Sequence, residues 1–377
     1  MITIKSDKDC CGCEACLNKC PQQCITMEKN QEGFLYPKID SNKCINCHLC
    51  EKVCPILHPF EDRPPYKTLA IKNKNQQIRK NSASGGLFSI LAESIIEKGG
   101  CVYGAAFTKD WTVRHICITQ KEELSLLRGS KYLQSSIGLC YQDIESKLKQ
   151  GVPILFTGTP CQISGLKHYL IKEYTNLYTA EIICHSTTSP QLWQTYLKFI
   201  SKGEKITNVN FRHKRFGWKD YTILIKGDKK IFIKNLSTEN FYMCCIFKGL
   251  LSRYSCYECP AKNGRSACDI TMGDFWGIDT IDKKFYDPLG VSVALLRNPK
   301  IESLLNLSIC ENKEIRYEDV LKYNKAIEKS LLLPQERKNI YEEINRKGIC
   351  ILSKYTNFSF KSKLKKRIKL LLHLLWK

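Results

Sequence analysis

The chain has 377 residues, a formal charge of +22 from 59 Lys and Arg against 37 Asp and Glu, and 22 cysteines. This length holds one small domain and one of ordinary core size, and the globular composition excludes a disordered chain. The basic balance, reduced by any metal–thiolate charge, suits an acidic electron donor, an anionic substrate or an anionic membrane; without a recognition motif, nucleic acid is not expected as a partner. Residues 1–9 carry no apolar signal core and no run is long enough to span a bilayer. The expectation is a cytoplasmic protein whose thiols act as ligands and not as a disulfide scaffold.

The first element is a repeat. Cys10, Cys13, Cys16 and Cys20 precede Pro21, and Cys44, Cys47, Cys50 and Cys54 precede Pro55, each run reading C-x2-C-x2-C-x3-C-P. That spacing holds [4Fe–4S] clusters in bacterial dicluster ferredoxins, where three thiolates wrap one cluster and the fourth reaches the other. The expected sets are Cys10, Cys13, Cys16 and Cys54, and Cys44, Cys47, Cys50 and Cys20. Zinc competes for any C-x2-C pair, but the doubled run closed by Cys-Pro favours iron–sulfur. Strands at 25–27 and 34–36 about a turn at 31–33 complete a small α+β ferredoxin domain over 1–57. Cys11 and Cys24 fall outside the ligand spacing, and Cys24 is expected to be a buried filler.

Residues 58–66, with Pro59, Pro64 and Pro65, predict a stiff linker. From Lys67 the pattern alternates: strands at 68–72, 102–107, 113–119, 153–157 and 177–184, helices at 87–98, 137–150 and 191–200, and one ending at 171. Leu87, Ile90, Leu91 and Ile95 share one face of the first helix, which Gly99 and Gly100 stop. Such alternation argues for an α/β catalytic domain with a mixed, largely buried sheet over 67–330. Three antiparallel strands are expected near Val209, Thr222 and Ile231. A helical region follows over 331–377, with a polar helix at 334–347. Near the end, Leu364, Ile368, Leu371, Leu372 and Leu375 oppose Lys365, Lys369, His373 and Lys377. The pattern fits an interfacial helix at the inner membrane face, or equally a terminal helix packed on its own domain.

Three loops carry candidate ligand chemistry. Ser82-Ala83-Ser84-Gly85-Gly86 opens a helix with a serine cap and exposed N–H groups, suited to phosphate, although such caps also occur without ligands. The run Gly129 to Ser135 offers Lys131, Tyr132, Gln134 and Ser135 to pyrophosphate and ribose, or forms an ordinary polar turn. Gly158-Thr159-Pro160-Cys161-Gln162 is a strand-to-helix turn, where α/β sheets bind ligands. Cys161 and Cys184, on neighbouring strand ends, lie within reach of Cys256-x-x-Cys259. Spacing alone allows a four-thiolate site and favours buried free thiols.

In order, Ser84-Gly85-Gly86, Gly129-Ser130-Lys131-Tyr132, Gly158-Thr159-Pro160-Cys161-Gln162, Cys184-His185, Cys256-x-x-Cys259 and Asp269-Ile-Thr-Met-Gly-Asp-Phe-Trp-Gly277 resemble the family of beta subunits of the coenzyme F-420-reducing hydrogenases and dehydrogenases. The resemblance covers roughly 67–293. It implies FAD as cofactor and a third [4Fe–4S] cluster on Cys161, Cys184, Cys256 and Cys259. The FAD contacts it suggests are Ser84, Gly85, Gly86, Lys131, Tyr132, Gln134, Ser135, Gly158, Thr159 and Gln162; it names no catalytic residue. Ser186 stands where family members often carry glycine after Cys-His, so the loop 186–189 is not carried over. The implied activity is that of an FAD-dependent iron–sulfur oxidoreductase. Electrons from reduced ferredoxin or another redox partner cross the clusters to FAD and then reach a small-molecule or glycan-type substrate, as in cell-surface polysaccharide biosynthesis. The alternative is a non-catalytic electron-transfer subunit of a larger redox complex.

Overall fold

The structure is a computed structural model that describes residues 1–356. The amphipathic tail expected at 360–377 lies outside the described residues. Among those residues no helix is long and apolar enough to cross a membrane.

The N-terminal module pairs β1 (Ile25–Lys29) with β2 (Leu35–Ile39) as an antiparallel hairpin. Its sulfur repeat is also a backbone repeat. Gly12 and Glu14 have φ of +69° and +61°, and at the matching places of the second run Asn46 and His48 have +53° and +59°. Two left-handed residues at matching places give both loops the same curl.

The main sheet has nine strands: β3 (Lys67–Asn73), β4 (Cys101–Phe107), β5 (Val113–Ile118), β6 (Ser135–Ser136), β7 (Ile154–Gly158), β8 (Leu177–Ile182), β12 (Ile270–Asp274), β13 (Ser292–Leu296) and β14 (Cys310–Glu314). Their order is β14-β3-β13-β12-β8-β7-β4-β5-β6. The centre, β12-β8-β7-β4, is parallel, while β13, β3, β14 and β5 join antiparallel to their inner neighbours, so the sheet is mixed. Leu155 points into one core with the helix Leu87–Glu97, and Ile154 and Phe156 point into another with the helices Cys140–Lys149 and Pro160–Leu170. Both faces are therefore covered, which is why these strands read as continuous apolar runs. The second sheet, β9 (Ile206–His213), β10 (Thr222–Gly227) and β11 (Ile231–Leu236), is the expected antiparallel trio.

Several expected elements are trimmed. The helix predicted from 137 starts at Cys140, because Gly138 stands at φ +58°. The strand predicted to 184 stops at Ile182, leaving Cys184 in the following loop. Strands β12, β13 and β14 carry no element in the sequence prediction.

The expected boundaries are not breaks in packing. Phe34, from the module hairpin, is fully buried in the same core as Trp193, Tyr242 and Tyr341. Residues 58–66 are not a free spacer either. The Phe60 ring lies 4.2 Å from the His168 ring, Asp62 pairs with Arg265 at 3.1 Å, and Arg63 N–H donates to the Asn263 carbonyl at 3.2 Å. Beyond 330, the helix Arg337–Lys347 sends Ile340, Tyr341 and Ile344 into that shared core.

Candidate functional site

The carboxyl ends of β3, β7, β8 and β12 open onto one cavity of about 750 Å³, a volume suited to a cofactor-sized ligand. Loops following parallel strands diverge there, which leaves a crevice at that edge. Ser84, Gly86, Lys131, Tyr132, Gln134, Ser135, Gly158, Thr159 and Gln162 line it, together with Cys161 and Cys184.

Gly85 does not line it. A Cβ there would stand 2.5 Å from the Ile71 carbonyl and 2.6 Å from the Ser292 N–H, so this glycine lets the loop lie against the sheet. Gly86, at φ +88°, is the helix N-cap, and no side chain caps the helix Leu87–Glu97. The Ser84 hydroxyl instead donates to the Val291 carbonyl at 2.8 Å, so the serine cap read from the sequence does not form.

Other predicted contacts serve the fold first. Thr159 and Gln162 form a capping box around Pro160: the Gln162 side-chain oxygen accepts from the Thr159 N–H at 3.0 Å. Gln134 faces the N-terminal module, its Oε1 accepting from Arg253 at 3.1 Å. The Lys131 ammonium donates to the Leu126, Leu127 and Arg128 carbonyls at 3.0–3.1 Å, and burial pulls it down to about 7. Ser135 hydroxyl lies 2.7 Å from His115 Nδ1.

The thiols fall into three groups. Cys13, Cys16 and Cys54 are buried beside one another, with Cys10 next to Cys16 and Cys54. Cys20, Cys44, Cys47 and Cys50 line a single small pocket. Cys184 is within electrostatic range of Cys256, Cys161 and Cys259, and Cys256 and Cys259 are within range of each other and of Cys161. Burial pushes the Cys256 thiol up to about 12 and Cys259 to about 11, so iron would have to displace their protons. Among the described residues no three His, Cys, Asp or Glu side chains gather tightly enough for a single metal ion.

Three residues absent from the sequence prediction shape the site. Arg253 is fully buried and donates to the Cys10 carbonyl at 2.7 Å, the Leu35 carbonyl at 3.0 Å and Gln134. It places a positive charge between the module thiols and those at the sheet edge, where it opposes the rise that the Cys11 thiol and burial impose on Cys161 and that burial imposes on Cys256. Arg212, in the cavity wall, pairs with Asp274 at 2.9 Å, donates to the Tyr132 hydroxyl at 3.3 Å and stacks 3.9 Å from the Tyr221 ring centre. Its buried Nε has no hydrogen-bond partner among the described residues. His115 Nε2 lies 3.0 Å from the Thr157 carbonyl, and burial lowers the imidazole to about 4, so it is neutral near pH 7. All three depend on contacts between distant elements; the one local signal is an arginine three residues before the Cys256 pair.

The N-terminal module abuts this edge directly. Glu14 accepts from the Ile137 and Gly138 N–H groups at 3.1 and 2.7 Å. Cys11 and Gly12 belong to the cavity wall, and the Cys11 thiol lies within hydrogen-bonding reach of both Cys13 and Cys161.

Known families match this arrangement in three blocks. Residues 9–56 match the 4Fe-4S dicluster domain, 68–138 the N-terminal part and 152–322 the C-terminal part of "Coenzyme F420 hydrogenase/dehydrogenase, beta subunit". The chain belongs to the family of coenzyme F420 hydrogenase/dehydrogenase beta subunits. Beside the two family blocks the chain carries a 4Fe-4S dicluster domain, which marks it as an iron–sulfur protein. It is 24% identical over 176 residues to a subunit of the F(420)H(2) dehydrogenase of Methanosarcina mazei, covering 44% of this chain and 49% of that one. It is 34% identical over 64 residues to a polyferredoxin-like protein of Methanocaldococcus jannaschii, covering 15% of this chain and 38% of that one. The chain thus spans about half or less of the length of these curated relatives. A chain of the F420-reducing [NiFe] hydrogenase complex of Methanosarcina barkeri aligns at a TM-score of 0.47 and 15% identity, over 76% of this chain and 94% of that one.

Proposed function

We propose that this family member is the FAD-bearing electron-transfer subunit of a larger redox complex, joining a two-cluster ferredoxin module to a third cluster and a flavin site. The observation that carries the reading is the cavity at the sheet edge, whose wall brings Cys161 and Cys184 together with Cys11 and Gly12 of the module. A flavin bound there exchanges electrons singly with clusters and in pairs with organic partners.

The residues fit such a group. Arg212 keeps an unpartnered N–H in the wall beside the uncapped start of the helix Leu87–Glu97, where an anionic phosphate is stabilised. Burial works against the Arg212 charge, but Asp274 beside it holds the guanidinium above its ordinary value. Cys161, Cys184, Cys256 and Cys259 would hold the third cluster, and Cys10, Cys13, Cys16, Cys54 and Cys20, Cys44, Cys47, Cys50 the other two. The Arg253 charge favours the thiolate form of Cys161 and Cys256. The cavity also extends past Tyr221 and Trp276 to Tyr323, room that favours a second reading in which a small molecule meets the flavin directly.

Anaerobic purification followed by iron, sulfide and flavin determination tests the proposal. Cys161→Ser is expected to lose one cluster's worth of iron and to slow flavin reduction while the ferredoxin clusters persist. Unchanged iron in that variant overturns the third-cluster assignment, and absence of flavin from the anaerobic wild type overturns the cofactor. Reoxidation by an added small molecule at a rate matching turnover would favour the second reading.

A further inference from the structure

The three thiol sets differ in the charges around them. The inner ferredoxin set, in which Cys13, Cys16 and Cys54 are buried, has Arg253 on one side and the buried Glu14 carboxyl in its own loop. The outer set, Cys20, Cys44, Cys47 and Cys50, is exposed at Cys47, and the Met1 ammonium near it is bound to Glu51 at 2.9 Å. In both sets a carboxyl group therefore offsets the neighbouring cation.

The sheet-edge set has a cation of its own. Lys262, three residues after Cys259, is 4% exposed, and its ammonium donates to the Cys184 carbonyl and to the Ala326 carbonyl at 2.5 Å. Both acceptors are neutral. The carboxyl groups flanking the set are engaged elsewhere. Glu258 pairs with Lys8 and is 68% exposed, while Glu181 accepts from Ser266 and from Thr271 at 2.7 Å, with Arg297 nearby. Burial pushes the Cys184 thiol well above its ordinary range, and the Lys262 charge opposes that rise; it acts on Cys259 in the same direction.

A reduced cluster carries one more negative charge than its oxidised form, so a fixed cation beside its ligands stabilises the reduced form. Counterions in solution screen a buried charge far less than an exposed one. We propose that Lys262 sets the potential of the sheet-edge cluster, holding it above both ferredoxin clusters so that electrons collect beside the cavity. The inference rests on the three-cluster reading given above. In each transfer one electron leaves a ferredoxin-type cluster, which is oxidised, and enters the sheet-edge cluster, which is reduced; no bond is made or broken and no proton moves. Cys184 and Ala326 both belong to the cavity wall, so the same ammonium holds the cluster loop against the compartment that takes the electrons next.

The test is an anaerobic redox titration of the full chain, followed by EPR. It compares wild type with Lys262→Gln, which keeps an N–H donor without the charge, and Lys262→Arg, which keeps the charge. The sheet-edge signal is identified as the one missing from Cys161→Ser. In the wild type that cluster is expected to be reduced before either ferredoxin cluster. In Lys262→Gln its share of electrons at equilibrium with them is expected to fall about tenfold, which is about 59 mV for a one-electron couple, with iron per chain unchanged. Lys262→Arg is expected to keep the wild-type order. Equal potentials in Lys262→Gln and Lys262→Arg would show that the lysine only ties two carbonyls together, and would overturn the proposal. A wild type whose sheet-edge cluster is reduced last also overturns it, a measurement that stands even if Lys262→Gln does not accumulate. A Cys161→Ser protein with all its signals and iron intact overturns the three-cluster reading instead.

Discussion

The ferredoxin thiols and the sheet-edge thiols are assembled by opposite means. Each ferredoxin set takes three members from one short loop, residues 10–16 or 44–50, and left-handed residues at matching places give both loops the same curl. The sheet-edge set takes Cys161 from a helix start, Cys184 from the loop after β8, and Cys256 and Cys259 from a separate turn. The first kind of site is built into a few consecutive dihedral angles; the second exists only when three distant segments are docked. Local sites can therefore be read from spacing, whereas distributed ones inherit the stability of the whole fold.

The sharpest challenge to this contrast lies in the residue that joins the two regions. Arg253→Met leaves the Cys10 and Leu35 carbonyls and the Gln134 side chain without their donor, and is expected to cost about 3–5 kcal/mol in urea unfolding. A cost confined to the sheet-edge cluster, with the module still docked, would show that the regions are joined elsewhere. Gly165→Ala tests a close approach of body to thiol: a Cβ there would stand 2.8 Å from the Cys13 Cβ and 3.0 Å from its Sγ. The expected cost is about 1–3 kcal/mol, with a changed EPR signal from the inner ferredoxin cluster and none from the outer one.

The third test is one of pH and concerns the cavity alone. Burial holds His115 at about 4, below its ordinary value of 6.5, so the unfolded chain binds more protons between those values. Stability stands in full above pH 6.5 and falls as pH drops through the window, by about 2 kcal/mol between pH 6.5 and 5. Urea unfolding of the wild type should show this decline and that of His115→Gln a shallower one, the remainder coming from His185 and His213, which burial also lowers. The smallest effect is expected from Lys8→Ala. Lys8 and Glu258 join module to body at 3.1 Å, yet their side chains are 52% and 68% exposed, and losing the pair should change stability by less than about 0.5 kcal/mol.

The same contrast explains what the sequence disclosed. The doubled cysteine run, the strand–helix alternation and the antiparallel trio were legible because each is a local pattern. Arg212, Arg253 and His115 were not, since their roles come from partners between 20 and 243 residues away. The polar loop residues carry a second use that spacing does not disclose. Gln162 looked like a ligand contact, but Thr159-x-x-Gln162 is also a capping-box sequence, and the helix uses the amide. Gly85 looked like a phosphate cradle, but the sheet lies too close behind it for any side chain. Strand β12 went unread because it lies inside the Asp269–Gly277 motif, which carries chemistry and no alternation of its own.

The proline-rich segment 58–66 carries a consequence for kinetics. Domains on free tethers exchange electrons only when thermal motion brings them together, so their rates fall with solvent viscosity. Here Phe60, Asp62 and Arg63 are fastened to the body, and Glu14 and Arg253 fasten the module itself. No diffusional search stands between the two regions. Electron passage from module to body should be first order, independent of protein concentration and insensitive to added glycerol, leaving encounter with the external partner as the step that viscosity slows.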